Sequence, residues 1–475
     1  MGNSSRDPYW QASVRRESID HPESQPDIED ECSVCHMPIP RYKAKLRGER
    51  GRIFAHLPFS ADKKEGAEAE DGVTCSVCHQ IGQEKLGTPE SYNGGFVIDP
   101  SRGKNDHPEY GPFEIEAGLK RIMQTSTGGF MQTESPHIRS AEMCATCHTL
   151  ITKALGPGGK VIGKLDEQMP YPEWLHSSYK DKQTCQDCHM PLVDEMTPIT
   201  RVLGVPRAGF HQHVFVGANF FMQRLLNRYR DELSVRALPP ELTGAADGTV
   251  EFLKARAARI SIEKVDVAAG HLSAQVFVEN LTGHKLPTAY PARRAWLHVV
   301  VRDANGRAVF ESGAWNADGS ITGNDNDADA TRFEPHYSEI TRPDQVQIYE
   351  AILKNTDDHV TTGLLSAVGY LKDNRLLPHG FDKRTADESI GVYGEAAADP
   401  QFTDAGDRVR YVIALNGAPP PYEVTAELWY EPIGFRWANN LKPYDSAFED
   451  RRFNGYYDSM RPATAVVLAR TTARK

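Results

Sequence analysis

The sequence predicts an α+β protein in two parts: a loop-rich, mainly helical N-terminal part over residues 1–232, and a C-terminal part over residues 233–475 that comprises a helical linker and an antiparallel Ig-like β-sandwich. A chain of 475 residues exceeds one ordinary domain. All eight cysteines fall between residues 32 and 189, among Gly- and Pro-containing loops. After residue 258, short apolar–polar alternations are separated by turns without regularly interposed helices, which favours antiparallel sheets.

The cysteines occur as four copies of one pattern, Cys-x-x-Cys-His, with no cysteine left over. The copies are Cys32, Cys35 and His36; Cys75, Cys78 and His79; Cys144, Cys147 and His148; and Cys185, Cys188 and His189. This pattern is typical of c-type haem attachment. Cysteines three residues apart lie on one side of a helical turn, where both can bond the edge of a macrocycle while the histidine reaches the iron. The sequence therefore predicts four covalently bound haem c groups.

Zinc knuckles, redox dithiols and disulfides are the other common uses of paired cysteines. Zinc pairs need no histidine after the second cysteine, and a thioredoxin-type dithiol belongs to a single strand-to-helix turn. A disulfide framework would not repeat one spacing four times. Covalent haem is the interpretation that explains the histidine and the repetition together.

The N-terminal part has the sequence pattern expected of a chain that packs around large cofactors. Long periodic segments are few before residue 215, and large apolar cofactors supply a core that such a chain would otherwise lack. Apolar residues at helical spacing predict helices over 218–232 and 246–258.

Strands are predicted where the apolar period changes to two. Residues 260–267 and 272–278 alternate apolar and polar side chains, and residues 295–302 run into Asn305-Gly306, a hairpin signal. Further strands are predicted over 344–351, 409–415, 424–430 and 463–468. These half-buried strands are expected to build the β-sandwich.

A low-spin electron-transfer haem needs a second axial ligand, usually His or Met, so the histidines outside the motifs are candidates. The candidates are His56, His137, His176 and His213, which have apolar neighbours, and His21 in a polar setting as a reserve. Met37 and Met190 directly follow a motif histidine and are expected to be packing residues. Five candidates for four places leave two alternatives: one is structural, or His21 reaches a haem of a neighbouring subunit.

The N-terminal part resembles the multihaem cytochromes c, the family that includes the tetrahaem cytochrome of the nitrifiers' hydroxylamine pathway and the multihaem nitrite reductases. The resemblance covers about the first 220 residues and depends on the four motifs, the phrases at 141–148 and 183–191, and upstream histidines such as His137. It implies closely stacked haems, mostly with two histidine ligands, that pass electrons along a row.

Residues 280–296 look like a segment of multihaem cytochromes that carry a C-terminal β domain. We expect this loop to contact the N-terminal part, with His284, Lys285, Arg293 or Arg294 against a haem propionate, since guanidinium and carboxylate pair bidentately. Iron ligation by His284 is not expected. The alternative is a long structural loop between two strands.

These observations predict an exported tetrahaem electron carrier, because two histidines on every iron leave no position open for substrate. No lysine-bearing Cys-x-x-Cys-Lys motif, as in the nitrite reductases, occurs in the sequence. A specific variant is a protomer of an extracellular filament, a cytochrome nanowire, formed by a contact that does not close. The alternative is a multihaem oxidoreductase in which one open-site haem acts on a small nitrogen or sulfur compound.

The composition limits which binding partners and which cellular location are expected. The net charge of −11 argues against nucleic acid, and no apolar run approaches the length of a membrane span. Redox proteins, or further copies of this chain, are the expected partners. The first residues lack the apolar core of a signal peptide, yet haem attachment implies export, so a periplasmic or extracellular location is expected for a processed chain.

A possible calcium site lies in the C-terminal part. Asp325, Asp327 and Asp329 place three carboxylates two residues apart, as oxygen-ligand calcium loops often do. The EF-hand glycine and glutamate are missing, and the alternative is a solvated acidic turn.

Overall fold

The computed structural model describes residues 1–59, 66–101, 103, 105–200 and 203–475. It contains both helices and sheets, which confirms the α+β class. The α-helices are α1 (Pro8–Asp20), α2 (Gln25–His36), α3 (Pro38–Leu46), α4 (Ala67–Glu70), α5 (Cys75–Gln80), α6 (Ala117–Ser126), α7 (Ala141–His148), α8 (Pro170–Leu175), α9 (Cys185–His189), α10 (Phe220–Arg228), α11 (Pro239–Arg256), α12 (Asp325–Ala328), α13 (Phe435–Asn439) and α14 (Phe448–Met460). No helix in these ranges combines the length and apolar character needed to cross a membrane.

Most of the strand residues lie in the C-terminal part. The strands are β1 (Pro108–Gly111), β2 (Met131–Glu134), β3 (Leu150–Leu155), β4 (Val161–Gln168), β5 (Thr197–Pro198), β6 (Pro206–Arg207), β7 (Ala258–Ala268), β8 (His271–Asn280), β9 (Arg294–Arg302), β10 (Ala308–Ser312), β11 (Glu339–Ile340), β12 (Ile348–Tyr349), β13 (Ala351–Lys354), β14 (Val360–Thr361), β15 (Gly369–Asp373), β16 (Asp407–Ala414), β17 (Glu423–Glu431) and β18 (Val466–Arg474). Three two-stranded sheets, β1–β2, β3–β4 and β5–β6, lie in the N-terminal part.

Two larger sheets organise the C-terminal part. One has the order β10–β9–β17–β18, with β12 also paired to β9, and the other has the order β11–β16–β8–β7. All pairings in both sheets are antiparallel except the two-residue β11–β16 contact. A third sheet, β14–β13–β15, is also antiparallel. The Ig-like connectivity stays a prediction.

The two larger sheets bury their apolar faces in one common core. Along most of β8 and β17 every second residue is buried, as the period-two pattern predicts. Val276 of β8 and Leu428 of β17 are both fully buried in the same cluster as Leu297 of β9 and Tyr411 of β16. The alternation in sequence therefore marks the inner faces of two sheets that pack against each other.

The N-terminal and C-terminal parts share contacts. Tyr9 of α1 packs on Phe453 of α14, with ring centroids 5.0 Å apart, and the Arg15 guanidinium donates to both carboxylate oxygens of Glu449. Both aromatic rings belong to the core that contains the two sheets. A boundary at residue 232 stays a prediction, and α1 is packed against the far end of the chain.

Some predicted elements have other bounds in the structure. The helix predicted over 246–258 begins earlier, at Pro239, because proline is well suited to the first helical turn. The strand predicted over 344–351 is divided into β12 and β13, which pair in different sheets. Glu350 between them is buried and accepts from Lys372 at 3.0 Å.

Candidate haem sites

Each Cys-x-x-Cys-His motif occupies a short helical turn. The motifs lie in α2, α5, α7 and α9, and the motif histidine is the last helical residue in three of them and the second last in α5. In α9 the turn is fixed by a capping box, in which Asp187 accepts from Thr184 N at 2.7 Å. The helical turn places both cysteines on one side, as thioether attachment requires, with the histidine at its end.

Three motif histidines have the same hydrogen bond. Nδ1 lies at hydrogen-bond distance from a backbone carbonyl: His36 from Ser4 O at 3.1 Å, His79 from Tyr110 O at 2.5 Å, and His189 from Val216 O at 2.6 Å. A carbonyl only accepts, so Nδ1 carries the proton and donates, and Nε2 keeps its lone pair. Metal-binding histidines are held in this way, which fixes both the tautomer and the orientation of the ring.

The third motif lies next to two others. The Cys144 thiol lies beside the Cys185 thiol, and the Cys147 thiol lies beside the Cys35 thiol. The same thiols are close enough to Cys78 for its charge to raise their pKa. The four attachment sites therefore form one compact group, with the third site between the first and the fourth.

Gly94 brings the first and third motifs together. Its backbone N donates to Thr146 O of α7 at 2.7 Å, and its φ of 72° lies in the left-handed region. A Cβ at this position would overlap the side chain of Val34 and lie 3.5 Å from Cys35 Sγ in α2. Only glycine fits this contact between the two motif helices without displacement.

His79 faces a second imidazole. The rings of His79 and His213 have centroids 6.1 Å apart and planes inclined by 23°. His213 was predicted as an axial ligand from its sequence setting, and the structure adds its partner. The spacing exceeds that of closely stacked rings and leaves room between the two imidazoles.

His189 also faces an imidazole, that of His284, which the sequence analysis did not expect as a ligand. The two centroids are 6.2 Å apart and the planes are inclined by 12°. Nδ1 of His284 donates to Lys285 O at 2.9 Å, so His284 repeats the arrangement of the motif histidines. The loop between β8 and β9 thus reaches the fourth motif.

Burial keeps several of these imidazoles neutral. Loss of solvation lowers the pKa of His36, His148 and His284 to about 4 in each case. For His148 and His284 the nearby His189 and Arg293 lower the pKa further. A neutral imidazole has the free lone pair that a metal ligand needs. The residues therefore fit a haem iron in chemistry as well as in position.

No family model matches the sequence, and no curated protein matches it. A penta-heme cytochrome c552 from Thermochromatium tepidum is similar in structure, with 15% sequence identity and a TM-score of 0.48; the match covers 94% of this chain and 83% of that chain.

The other predicted axial ligands lie apart from these two pairs. His137 is buried with both ring nitrogens engaged, Nδ1 by Ser135 Oγ at 2.7 Å and Nε2 by Ile81 O at 2.8 Å. His176 Nε2 donates to Asp382 O at 3.2 Å. His21 is buried with Nε2 3.5 Å from Ser366 Oγ, and His56 is half-buried. Ligation of a haem iron by these four histidines stays a prediction.

The loop over 280–296 contacts the N-terminal part as expected, but two of its basic residues are not available to a propionate. Lys285 is fully buried and donates to Asp373 Oδ2 at 2.7 Å. Arg294 donates to Asp327 Oδ1 at 2.7 Å and Glu431 Oε2 at 2.9 Å. Arg293, half-buried and close to both His148 and His284, is the remaining guanidinium.

The predicted calcium ligands do not converge. Asp327 is paired with Arg294 and accepts from Ile321 N at 2.8 Å, Asp325 is paired with Arg332, and Asp329 accepts from Thr331 N at 2.9 Å. Each carboxylate has its own cation or backbone donor, because Asp325–Ala328 form a helical turn that directs the side chains apart. Calcium binding by these three carboxylates stays a prediction.

One buried cluster elsewhere has metal-ligand residue types. His336 Nε2 lies 3.3 Å from Asp399 Oδ2 and 3.8 Å from Asp407 Oδ1. Nδ1 of the same ring accepts from Gln347 Nε2 at 2.8 Å and Asn374 Nδ2 at 3.1 Å. Both amides are fixed by further bonds to an acceptor, so Nδ1 is an acceptor and Nε2 carries the proton. That proton occupies the position a metal would need.

Sequence reasoning missed two residues that the structure brings to the motifs. Trp10 stacks on the ring of His36, with centroids 4.3 Å apart and planes inclined by 2°. His284 lies opposite His189 although the two are almost a hundred positions apart in the chain. Trp10 carries no local signal for this contact. Lys285, which follows His284, is fully buried, but this burial is evident only from the fold.

Proposed function

We propose that the chain is an exported tetrahaem c-type cytochrome that carries electrons along a row of closely spaced haems. The observation that carries the proposal is the set of four Cys-x-x-Cys-His turns that use every cysteine, three of them with Nδ1 of the histidine held by a backbone carbonyl. When bound, each haem supplies an iron that alternates between two oxidation states. The protein attaches the haem edge, orients the imidazole and excludes water.

Histidine ligation on both sides is part of the proposal. The facing rings of His79 and His213 support one such pair. Two strong-field imidazoles keep the ligand geometry nearly constant in both oxidation states, which suits electron transfer rather than substrate binding. Ligation by two histidines, without methionine, also implies low reduction potentials.

The order of the attachment sites suggests the route. Thiol contacts between Cys147 and Cys35 and between Cys144 and Cys185 place the third motif next to the first and the fourth. Electrons that enter at one end would pass the third haem. Redox proteins of the periplasm or the cell exterior are the proposed partners.

A filament of copies of this chain is a variant of the proposal. His21, the candidate ligand for a haem of a neighbouring subunit, is buried with Nε2 3.5 Å from Ser366 Oγ of its own chain. Sedimentation of the holoprotein over a range of concentrations tests the filament: one mass at all concentrations contradicts assembly.

The oxidoreductase alternative is favoured by a specific observation at His148. Among the described residues, no second imidazole lies opposite His148 or His36 in the way that His213 lies opposite His79. An iron bound by a motif histidine without such a partner would keep one position open to a small ligand. Nitrite, cyanide or carbon monoxide binding to one haem in four would support this alternative.

The experiment is a haem count on protein matured in a host with the c-type attachment machinery. Pyridine haemochrome absorbance and intact mass should give four haems per chain, and the double variant Cys75→Ala/Cys78→Ala should give three. Stoichiometric zinc with no covalent haem would refute the proposal. A variant that still carries four haems would show that α5 is not an attachment site.

A further inference from the structure

We propose that His284, from the loop between β8 and β9, is the axial ligand opposite His189 on the iron of the fourth haem. The inference rests on the proposed function, since it assigns a ligand to one of the four haems. It makes the C-terminal part a contributor to the redox centre.

The distance between the two rings agrees with an iron between them. An iron about 2 Å from each Nε2, with each ring centre about 1.1 Å further along the same line, separates the centroids by about 6.2 Å. The observed separation is 6.2 Å. Two imidazoles with nearly parallel planes are compatible with this arrangement, and the observed angle between the ring planes is 12°.

The hydrogen bonds of the two rings agree with the same assignment. Nδ1 of His189 donates to Val216 O at 2.6 Å, and Nδ1 of His284 donates to Lys285 O at 2.9 Å. In both rings Nε2 is therefore the nitrogen with the lone pair. Direct packing of two imidazoles is the competing explanation for a pair at this distance. It gives no reason for both rings to have a carbonyl on Nδ1.

The loop that carries His284 is fixed to α8 by buried groups. Glu173 is fully buried and accepts through Oε2 from Lys285 N at 3.0 Å and from Thr288 Oγ1 at 2.5 Å. Its other oxygen pairs with Arg375 at 3.2 Å. These contacts hold the residue after His284 against the helix that precedes the fourth motif. A ligand must be held with this rigidity, because a loose one exchanges with water.

The test is the spin state of the His284→Ala holoprotein. We expect four haems per chain, one of which becomes high-spin in the paramagnetic and optical spectra, and added imidazole should restore the low-spin signal. The control is His271→Ala, an exposed histidine of the same part whose Nδ1 lies 3.1 Å from a backbone carbonyl. That variant should leave all spectra unchanged.

A second variant guards against a folding defect. His284→Met retains a ligand of a different kind, and it should keep the haem low-spin while raising one reduction potential of the four, because methionine ligation raises the potential. Unchanged spectra and potentials in both variants, with four haems bound, would overturn the inference and leave the proposed function intact. A wild-type protein without covalent haem would instead overturn the proposed function itself.

Discussion

Replacing Asp373 by asparagine should destabilise the contact between α8 and the C-terminal part. Asp373 ends β15 and is buried at 2% exposure, where it accepts from Lys285 Nζ at 2.7 Å and from Arg375 Nε and Nη2 at 2.8 and 2.7 Å. With Glu173 these residues form a balanced group of two cations and two carboxylates. Asparagine leaves two buried cations with a single carboxylate.

The expected loss is about 3 kcal/mol. Burial alone would raise the pKa of Asp373, but Arg375 and Lys285 hold it at about 2. A depression of roughly two units from the ordinary value corresponds to roughly 2.5 kcal/mol, and breaking a buried ion pair costs about 3 to 5 kcal/mol. Because the folded pKa is depressed, this stability is present above about pH 4 and is lost as the pH falls towards 2.

Urea unfolding followed by tryptophan fluorescence at pH 7 measures the effect. The midpoint of Asp373→Asn should fall by about 1 M, and the difference from the unmodified protein should shrink towards pH 2. The control is Asp344→Asn, which removes an exposed pair with Arg342 at 3.0 Å and should leave the midpoint unchanged. An unchanged midpoint for Asp373→Asn at pH 7 would refute the reasoning that the buried group stabilises this contact.

Three further outcomes are expected. His213→Ala should convert the haem held by His79 to high spin, with recovery on adding imidazole; a spectrum without any high-spin signal would contradict the pair. Gly94→Ala should lower the yield of protein with four haems, because the added Cβ overlaps a motif helix. The control Gly48→Ala, at a similar φ and with no atom within 4 Å of the added Cβ, should not lower the yield. Equal yields would show that the contact at Gly94 is dispensable. Burial and the neighbouring Glu449 raise the pKa of Asp450 to about 7. Asp450→Asn should therefore raise the unfolding midpoint at pH 8 and leave it unchanged at pH 4, where the carboxyl is neutral in the folded protein. The same effect at both pH values would contradict this.

The local features of the fold were open to prediction from the sequence. The alternation over 272–278 lies within β8, and the proline pair at 239 begins α11. The four motifs that we propose for covalent haem attachment were also open to prediction, because each consists of adjacent residues. The motif histidines acquire their Nδ1 partners from distant backbone, such as Tyr110 for His79, and no local pattern encodes such a contact.

The second ligand of an iron is a tertiary property. His137 has apolar neighbours in sequence, which favoured it as a ligand, but Ser135 and Ile81 engage both of its nitrogens. The sequence predicts contact between the loop of His284 and a haem propionate, and not ligation of the iron by His284. In the structure Lys285 is buried, and the ring of His284 lies opposite His189. Sequence neighbours indicate burial, whereas ligation depends on which nitrogen is left free and what lies about 6 Å away.

The spin-state composition of the oxidised holoprotein tests the central claim most directly. Low-temperature electron paramagnetic resonance, calibrated against the haem count, should show four low-spin haems and no high-spin iron. That result would require further ligands for the haems of His36 and His148, and the candidates are the other histidines predicted from the sequence. A high-spin signal from one haem in four would contradict the electron-carrier account and favour an open-site enzyme.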